Sequence, residues 1–420
     1  MTSISSAAPP PRRALIAVFA VALAARLLAA AWTGRGEAER AGDAADYHAY
    51  AVSLVESGRY ENADGERASR MPGYPLLLAA QYAALGRSPL LTQVLQCLLG
   101  ALTCVLVASL AARWSPPPWP LAAGLLAALS WDLIEPCARL LTEAPAALCL
   151  TLTLWLLADD RALKPGRAAL AGLPAAGAFL LRPECGPWAA LAALYVARRA
   201  RPAAGAAFLA ATLLAAGAWG ARNARALGRP VLTTTAGAFN LYGWGVARTV
   251  EERLGGPHWE HAPAQAAELA RMDFYAARTR EFFASTRPAT VLKALSLNLA
   301  LLYYPFSPAL DPTFVFLAPF ALLGAWAVRG DPRRRPLGLT LAYFTAVYCL
   351  AGVMIPRHRE SYAPLTVLLA VCGLEWARAR ARPRAFAAAV VGWGVACLAA
   401  WAAAPWLRAA ALSVRNRALS

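Results

Sequence analysis

The sequence predicts an all-α polytopic membrane protein, and three observations carry that reading. Of its 420 residues, 59% are hydrophobic, and the mean hydropathy is +0.44. Apolar blocks recur along the whole chain, separated by short arginine-rich breaks, as spanning helices and their flanks do. The blocks are continuous Ala/Leu/Val runs, whereas barrel strands alternate apolar and polar residues, so helices are the only spanning element that fits.

The formal net charge of +17 is consistent with this class. The basic residues form short clusters between apolar blocks and no continuous patch with interleaved aromatics. The charge therefore reads as topological, and nucleic acid is excluded as a partner. The eight cysteines show no CxxC or Cys/His spacing and read as small apolar residues.

In chain order, Ala14 to Trp32 reads as an uncleaved first helix with Arg12 and Arg13 inside, and Arg26 is expected to snorkel to the outer surface. The hydrophilic interval Gly42 to Pro75 follows, with a helix through Tyr47 to Glu56 that Gly58 ends. Leu76 to Leu85 is too short to span and reads as an interfacial helix. Pro89 to Ala112 returns inward and Trp119 to Leu133 goes out. A turn with Asp132, Glu135 and Arg139 precedes the inward run Leu141 to Leu157, which ends at the mixed-charge turn Asp159 to Arg167.

Between Arg167 and Arg198, two short apolar halves flank LRPECGP, which should place Arg182 and Glu184 just below the outer surface. Ala203 to Trp219 goes out. Residues 223–312 form a long outer interval with GAFNLYGW, a helical stretch near Ala264 to Phe283, and the semi-apolar KALSLNLALLYYPF. Phe314 to Val328, Leu337 to Ile355, Ser361 to Trp376 and Phe386 to Trp406 complete about eleven spans. Positive-inside bias places the clusters at 198–201, 329–335 and 378–384 in the cytoplasm. Loops 33–88 and 223–312 are then extracytoplasmic.

This topology gathers on one face polar residues that it does not itself require: Asp43, Asp46, Glu143, Glu184, Asn223, Asn240, Tyr242, Trp244 and Glu360. Arg70, Arg139, Arg182, Arg222, Arg357 and Arg359 join them against the topological bias. A phosphate ligand at the outer face is a reason for them, because the guanidinium fork matches phosphate oxygens.

The pattern GDAADYHAYAVSLVESGRY followed by RMPGYPLLLA resembles GT-C glycosyltransferases of the family 39 type, relatives of protein O-mannosyltransferases and aminoarabinose transferases. LLTEAP, LRPE, ARNARALGRP with TTTAGAFNLYGW, and PRHRESYAPL continue that pattern in order, so the resemblance spans residues 14 to about 377. It implies a GT-C-like helical bundle over 1–377 with juxtamembrane helices in its outer loops. Residues 378–420 then add a basic cytoplasmic turn, a last spanning helix and a tail.

The implied activity is sugar transfer from a polyprenyl-phosphate donor to an acceptor lipid, glycan or protein outside a bacterial cytoplasmic membrane. Asp43 matches the family's acidic base, and Arg70 the basic residue that meets the donor phosphate. Arg182, Arg357 and Arg359 are further phosphate ligands on this reading, and Asp46, Tyr47, Tyr74, Glu143, Glu184, Asn240, Tyr242 and His358 are substrate contacts. Aminoarabinose transferases read Asp-Glu at the first position, whereas this chain reads Asp43-Ala44 with its second acid at Asp46. That departure bears on the sugar and acceptor more than on the reaction class.

The chemistry asks for the same residue types. Inverting displacement needs one carboxylate to take the acceptor proton, while a phosphate leaving group needs positive charge and no general acid. No cofactor is required, although the loose Asp43/Asp46 pair leaves room for a divalent ion.

Blander roles stay open beside these. Asp43 or Asp46 would cap the following helix, with Asp46 the better cap, and Glu143 would be a first-turn acid. Arg70 would be an interfacial arginine, Arg182 and Glu184 would pair with each other, and Asn240, Tyr242 and Trp244 would pack the loop. A transporter or lipid flippase is the alternative class, but the sequence has no internal repeat and its polar residues cluster on one face instead of at mid-membrane.

Overall fold

The computed structural model describes residues 10–33, 42–158, 163–256, 258, 260–263, 265–305, 310–351 and 356–419. The amino-terminal tail, the start of the first loop and the Asp159 end of the mixed-charge turn lie outside the described residues. The described chain folds as helices joined by short turns. In order these are α1 (Arg12–Thr33), α2 (Gly42–Ser57), α3 (Gly73–Leu85), α4 (Pro89–Ala111), α5 (Trp119–Leu129), α6 (Trp131–Ile134) and α7 (Glu143–Leu157). They continue with α8 (Pro165–Leu181), α9 (Cys185–Arg199), α10 (Pro202–Leu227), α11 (Gly237–Gly243), α12 (Val246–Leu254), α13 (Glu268–Ser285) and α14 (Pro288–Leu302). The last four are α15 (Pro312–Ala327), α16 (Arg335–Ala351), α17 (Ala363–Arg378) and α18 (Pro383–Leu419). A 3-10 turn, Pro356–Tyr362, leads into α17.

Among the described residues, five helices are long and apolar enough to cross a membrane: Arg12–Trp32, Pro89–Ala111, Pro202–Leu227, Pro312–Gly330 and Pro383–Trp406. A sixth crossing exists if Trp119–Leu129 and Trp131–Ala138, bent by 71°, count as one. The chain is thus a multi-pass helical membrane protein. The remaining expected crossings fall on shorter helices, such as α16 with 17 residues and α17 with 16, so length and composition do not give the count of eleven.

Close backbone contact fixes the centre of the bundle. At Gly324 in α15, an added Cβ would lie 1.8 Å from the Leu369 carbonyl oxygen, and at Gly373 in α17, 2.0 Å from that of Phe320. Two glycines facing each other let the two helices touch, the device that membrane helices use where lipid supplies no hydrophobic drive. Helix α17 is accordingly buried along nearly its whole length, from Ala363 to Leu374. By contrast, only 6% of the apolar window of α18 is covered, and Val391, Val395, Leu398 and Trp406 face outward.

One expectation is overturned here. Arg26 does not snorkel; it is fully buried. Its guanidinium donates to the carbonyl of Ala22 at 2.9 Å, to that of Ala128 at 3.2 Å and to Cys104 Sγ at 3.2 Å. The carbonyls at the end of α5 take up its terminal N–H groups where the surface was expected to, while its Nε has no hydrogen-bond partner among the described residues.

Candidate active site

Helix α2 begins at Gly42, whose φ of +56° lets the chain turn sharply into it. Asp43 in the first turn, with Asp46 and Tyr47 three and four residues on, shares one helix face. That face meets Arg70, which the loop before α3 delivers. Arg70 Nη2 donates to Asp43 Oδ1 and Asp46 Oδ2, both at 2.7 Å, and its Nε donates to Asp46 Oδ2 at 3.1 Å. Asp46 is therefore a partner of Arg70 and lies inside the helix, not at its cap. The Tyr60 hydroxyl holds the loop by donating to the carbonyls of Arg70 at 3.1 Å and Met71 at 3.2 Å.

The 3-10 turn brings in the next cation. Arg357 Nη2 donates to Asp43 Oδ2 at 3.0 Å, and its Nε to Glu143 Oε1 at 2.8 Å. Glu143 opens α7 and is also reached by Arg182 at 3.3 Å. Arg182, at the break between α8 and α9, pairs with Glu184 at 2.7 Å, donates to Thr142 Oγ1 at 3.0 Å and to the Tyr348 hydroxyl at 2.8 Å. The Tyr348 hydroxyl in turn donates to Glu184. Arg139 closes the flank on Glu360 at 2.7 Å. The outcome is a continuous ladder of ion pairs from Asp46 to Glu184.

Exposure falls steeply from Asp43 to Glu143. The Asp43 side chain is 32% exposed, Arg70 24% and Arg357 21%, while Glu143 is fully enclosed. Burial raises the Asp43 carboxyl, but the guanidiniums of Arg70 and Arg357 outweigh it and hold the acid below its usual range. Asp43 is thus an ionised carboxylate that solvent reaches. His358 lies beside Arg357 with its ring stacked on Tyr348 at 4.9 Å. Burial, and then Arg182 and Arg357, depress its pKa to about 4. Its Nδ1, like Glu143 Oε2 and Glu360 Oε2, is enclosed without a hydrogen-bond partner.

The first loop is clamped from the far side. Glu268, at the start of α13, accepts from the backbone N–H groups of Arg67 at 2.7 Å and Ala68 at 2.8 Å, and Arg271 pairs with Glu66. A groove of about 700 Å³ opens next to this junction. Leu54, Leu76, Leu180 and Trp219 give it apolar walls, Arg59, Arg67 and Arg222 line it as well, and Pro72 connects it to the Arg70 loop. Among the described residues, no group of three or more His, Cys, Asp or Glu side chains is placed to hold a metal ion.

Several expected site residues lie elsewhere. Arg359 turns away to Asp132 at 2.8 Å and is only 3% exposed, so it does not join the phosphate-binding set expected of it. Tyr74 is fully buried, and its hydroxyl donates to Gln96 at 2.8 Å. Tyr242 packs with Ala247 and Tyr275 in the long loop, which is the loop-packing role, and Asn240 is exposed on α11. Tyr47 stays close, its ring 5.7 Å from the Arg70 guanidinium. The ladder also uses Thr142 and Tyr348, and the loop clamp uses Glu268, none of which the sequence singled out. A tyrosine inside an apolar run was the available signal for Tyr348.

No protein-family profile and no curated protein matches the sequence. Solved structures do match the fold. The archaeal oligosaccharyltransferase AglB from Archaeoglobus fulgidus, in complex with an inhibitory peptide and a dolichol-phosphate, superposes with a TM-score of 0.50 at 13% identity over 88% of this chain. The same organism's enzyme in its apo form gives 0.50 at 13% identity over 94%. The chain spans about half the length of these proteins, 50% and 54%. At this identity the likeness is one of fold: the chain shares the helical arrangement of these oligosaccharyltransferases.

Proposed function

We propose that the chain transfers a sugar from a polyprenyl-phosphate donor to an acceptor at the extracytoplasmic face of a bacterial cytoplasmic membrane, by inverting displacement with Asp43 as the base. The observation that carries this reading is the setting of Asp43: an ionised, solvent-reached carboxylate between two arginines. Of the other acids on the ladder, Asp46 is reached by solvent but pairs with Arg70 alone among the described residues, and Glu143 is sealed and has no path to an acceptor.

Arg70 and Arg357 spend their donors on Asp43, Asp46 and Glu143. A donor phosphate of like charge competes for the same forks. As it binds, the arginines turn to the phosphate and Asp43 is released toward the acceptor. The acceptor atom bonds to the anomeric carbon, its proton passes to Asp43, and the bond from that carbon to the phosphate oxygen breaks. The departing polyprenyl phosphate takes the electron pair, and the arginines stabilise the charge that grows on it. The groove beside Pro72 suits the prenyl chain, since its walls are apolar and its arginines stand close to the Arg70 loop. Dolichol-phosphate on AglB is support from a protein of the same fold.

The test is direct. Purified protein in liposomes is given polyprenyl-phosphate sugars together with lipid and peptide acceptors, and free polyprenyl phosphate is followed by mass spectrometry. Sugar-dependent release supports the proposal. Movement of lipid across the bilayer without transfer of any sugar would overturn it in favour of a flippase.

A further inference from the structure

We propose that a second cavity, at the opposite end of the bundle from Asp43, binds an anionic phospholipid of the surrounding bilayer. This goes beyond the glycosyl-transfer reading and does not depend on it. The cavity holds about 630 Å³ and lies between α7, α9 and α16. Each of these helices has its other end in the ion-pair ladder: α7 at Glu143, α9 next to Glu184 and α16 at Tyr348. Helix α9 has 15 residues and so separates Glu184 from the cavity's rim at Arg199 by about 22 Å, while the cavity's depth reaches back along it to Trp188.

Two kinds of chemistry meet in this cavity. Its depth is apolar, built from Leu154, Trp188 and Leu337 among others, with Thr340 already occupied by the Trp188 indole N–H at 3.2 Å. Its rim carries Arg198, Arg199 and Arg333, and no carboxylate lines it among the described residues. Leu191, Leu194 and Leu339 line it and are 54%, 47% and 50% exposed, so it opens sideways toward the hydrocarbon and not only toward water.

An acyl chain fits the depth and a phosphodiester fits the rim, which is the pairing that basic pockets between membrane helices use for anionic headgroups. A zwitterionic lipid offers the same chain but cancels the headgroup charge. A soluble anion offers no chain and leaves the apolar depth empty. Arg199 is already aimed along the rim, since it donates to the Tyr195 hydroxyl at 3.1 Å and to the Pro332 carbonyl. The rim therefore ties the last turn of α9 to the segment before α16, and a bound headgroup would hold the same junction.

Native mass spectrometry of the full-length protein, incubated with equal amounts of phosphatidylglycerol and phosphatidylcholine, tests the assignment. Retained phosphatidylglycerol is expected to exceed phosphatidylcholine roughly tenfold. The combined Arg198→Gln, Arg199→Gln, Arg333→Gln variant should lose that preference, while the Lys variant at the same positions should keep most of it. Equal retention of the two lipids by the unmodified protein would overturn the proposal, as would equal behaviour of the Gln and Lys variants. The unmodified protein decides the question even if the Gln variant folds poorly. Release of the lipid by inorganic phosphate alone would also count against it.

Discussion

Arg357 and Arg359 stand on the same short turn with only His358 between them, yet they build two unlike sites. Arg357 reaches Asp43 and Glu143 and is 21% exposed. Arg359 reaches Asp132 and, at 3.7 Å, Asp311, donates to the Tyr304 carbonyl at 2.9 Å and lies over the Phe314 ring at 3.8 Å. It is 3% exposed, and Asp311 also caps α15. The residue types are the same on both sides, so composition does not distinguish a reactive cluster from a structural one. Access does. A buried ion pair serves to hold elements together, whereas a paired carboxylate that solvent reaches can exchange its partner for a ligand.

The sharpest way to break this contrast is to remove one acid from each side. Asp43→Asn should lower the transfer rate by up to about 10⁴-fold with little change in melting temperature, read by donor turnover and thermal unfolding on the same preparation. Full activity in that variant removes Asp43 as the base. Arg359→Ala should do the reverse. It leaves Asp132 and Asp311 enclosed without their cation, so a loss of about 3–5 kcal/mol is expected, seen as lower melting temperature and yield. A stable, inactive Arg359→Ala would place Arg359 at the site after all.

The residue between the two arginines gives a smaller, pH-dependent effect. His358 has its folded pKa depressed to about 4, below the ordinary value of 6.5. Its contribution is complete above pH 6.5 and drains away as the pH falls through 4, because the unfolded chain takes up the proton first. Thermal stability should therefore fall by up to about 3 kcal/mol over that window, and His358→Gln should flatten the fall. An unchanged slope in the variant shows that another group sets it. Asp43, with its depressed pKa, should stay ionised throughout this range, so the acid limb of the transfer rate should not follow His358. Arg70→Ala should act mainly on donor binding, raising the apparent KM about tenfold and lowering kcat less. An unchanged KM separates Arg70 from the phosphate.

The sequence made the scaffold of the site legible because the signals were local. The helix from Gly42 to Ser57 stops where Gly58 forces a left-handed turn, α7 opens at Glu143, and the break at Arg182 to Glu184 falls where LRPECGP interrupted two apolar halves. Helix α13 covers most of the expected helical stretch in the long loop. What stayed hidden depends on partners far away in the chain. Asp46 looked like a cap, since nothing local to α2 announces Arg70. The partner of Arg26 is a pair of carbonyls about a hundred positions on, and hydropathy is blind to backbone acceptors. The divergence of Arg357 and Arg359 comes from a 3-10 turn wedged between α7 and the α5–α6 junction, and the string PRHRE does not encode which side each arginine will face. Tyr242 misled for a related reason, as an aromatic in an outer loop is equally suited to a sugar and to Tyr275.

The claim that the accessible half of this pair is a lipid-phosphate site is tested most directly by the lipid that the protein carries through purification. Mass spectrometry should find a polyprenyl phosphate or its glycoside on the unmodified chain, and the signal should disappear from Arg70→Ala/Arg357→Ala while persisting in Asp43→Asn. A chain that carries no polyprenyl lipid, or a double variant that carries as much as the unmodified protein, would contradict the account.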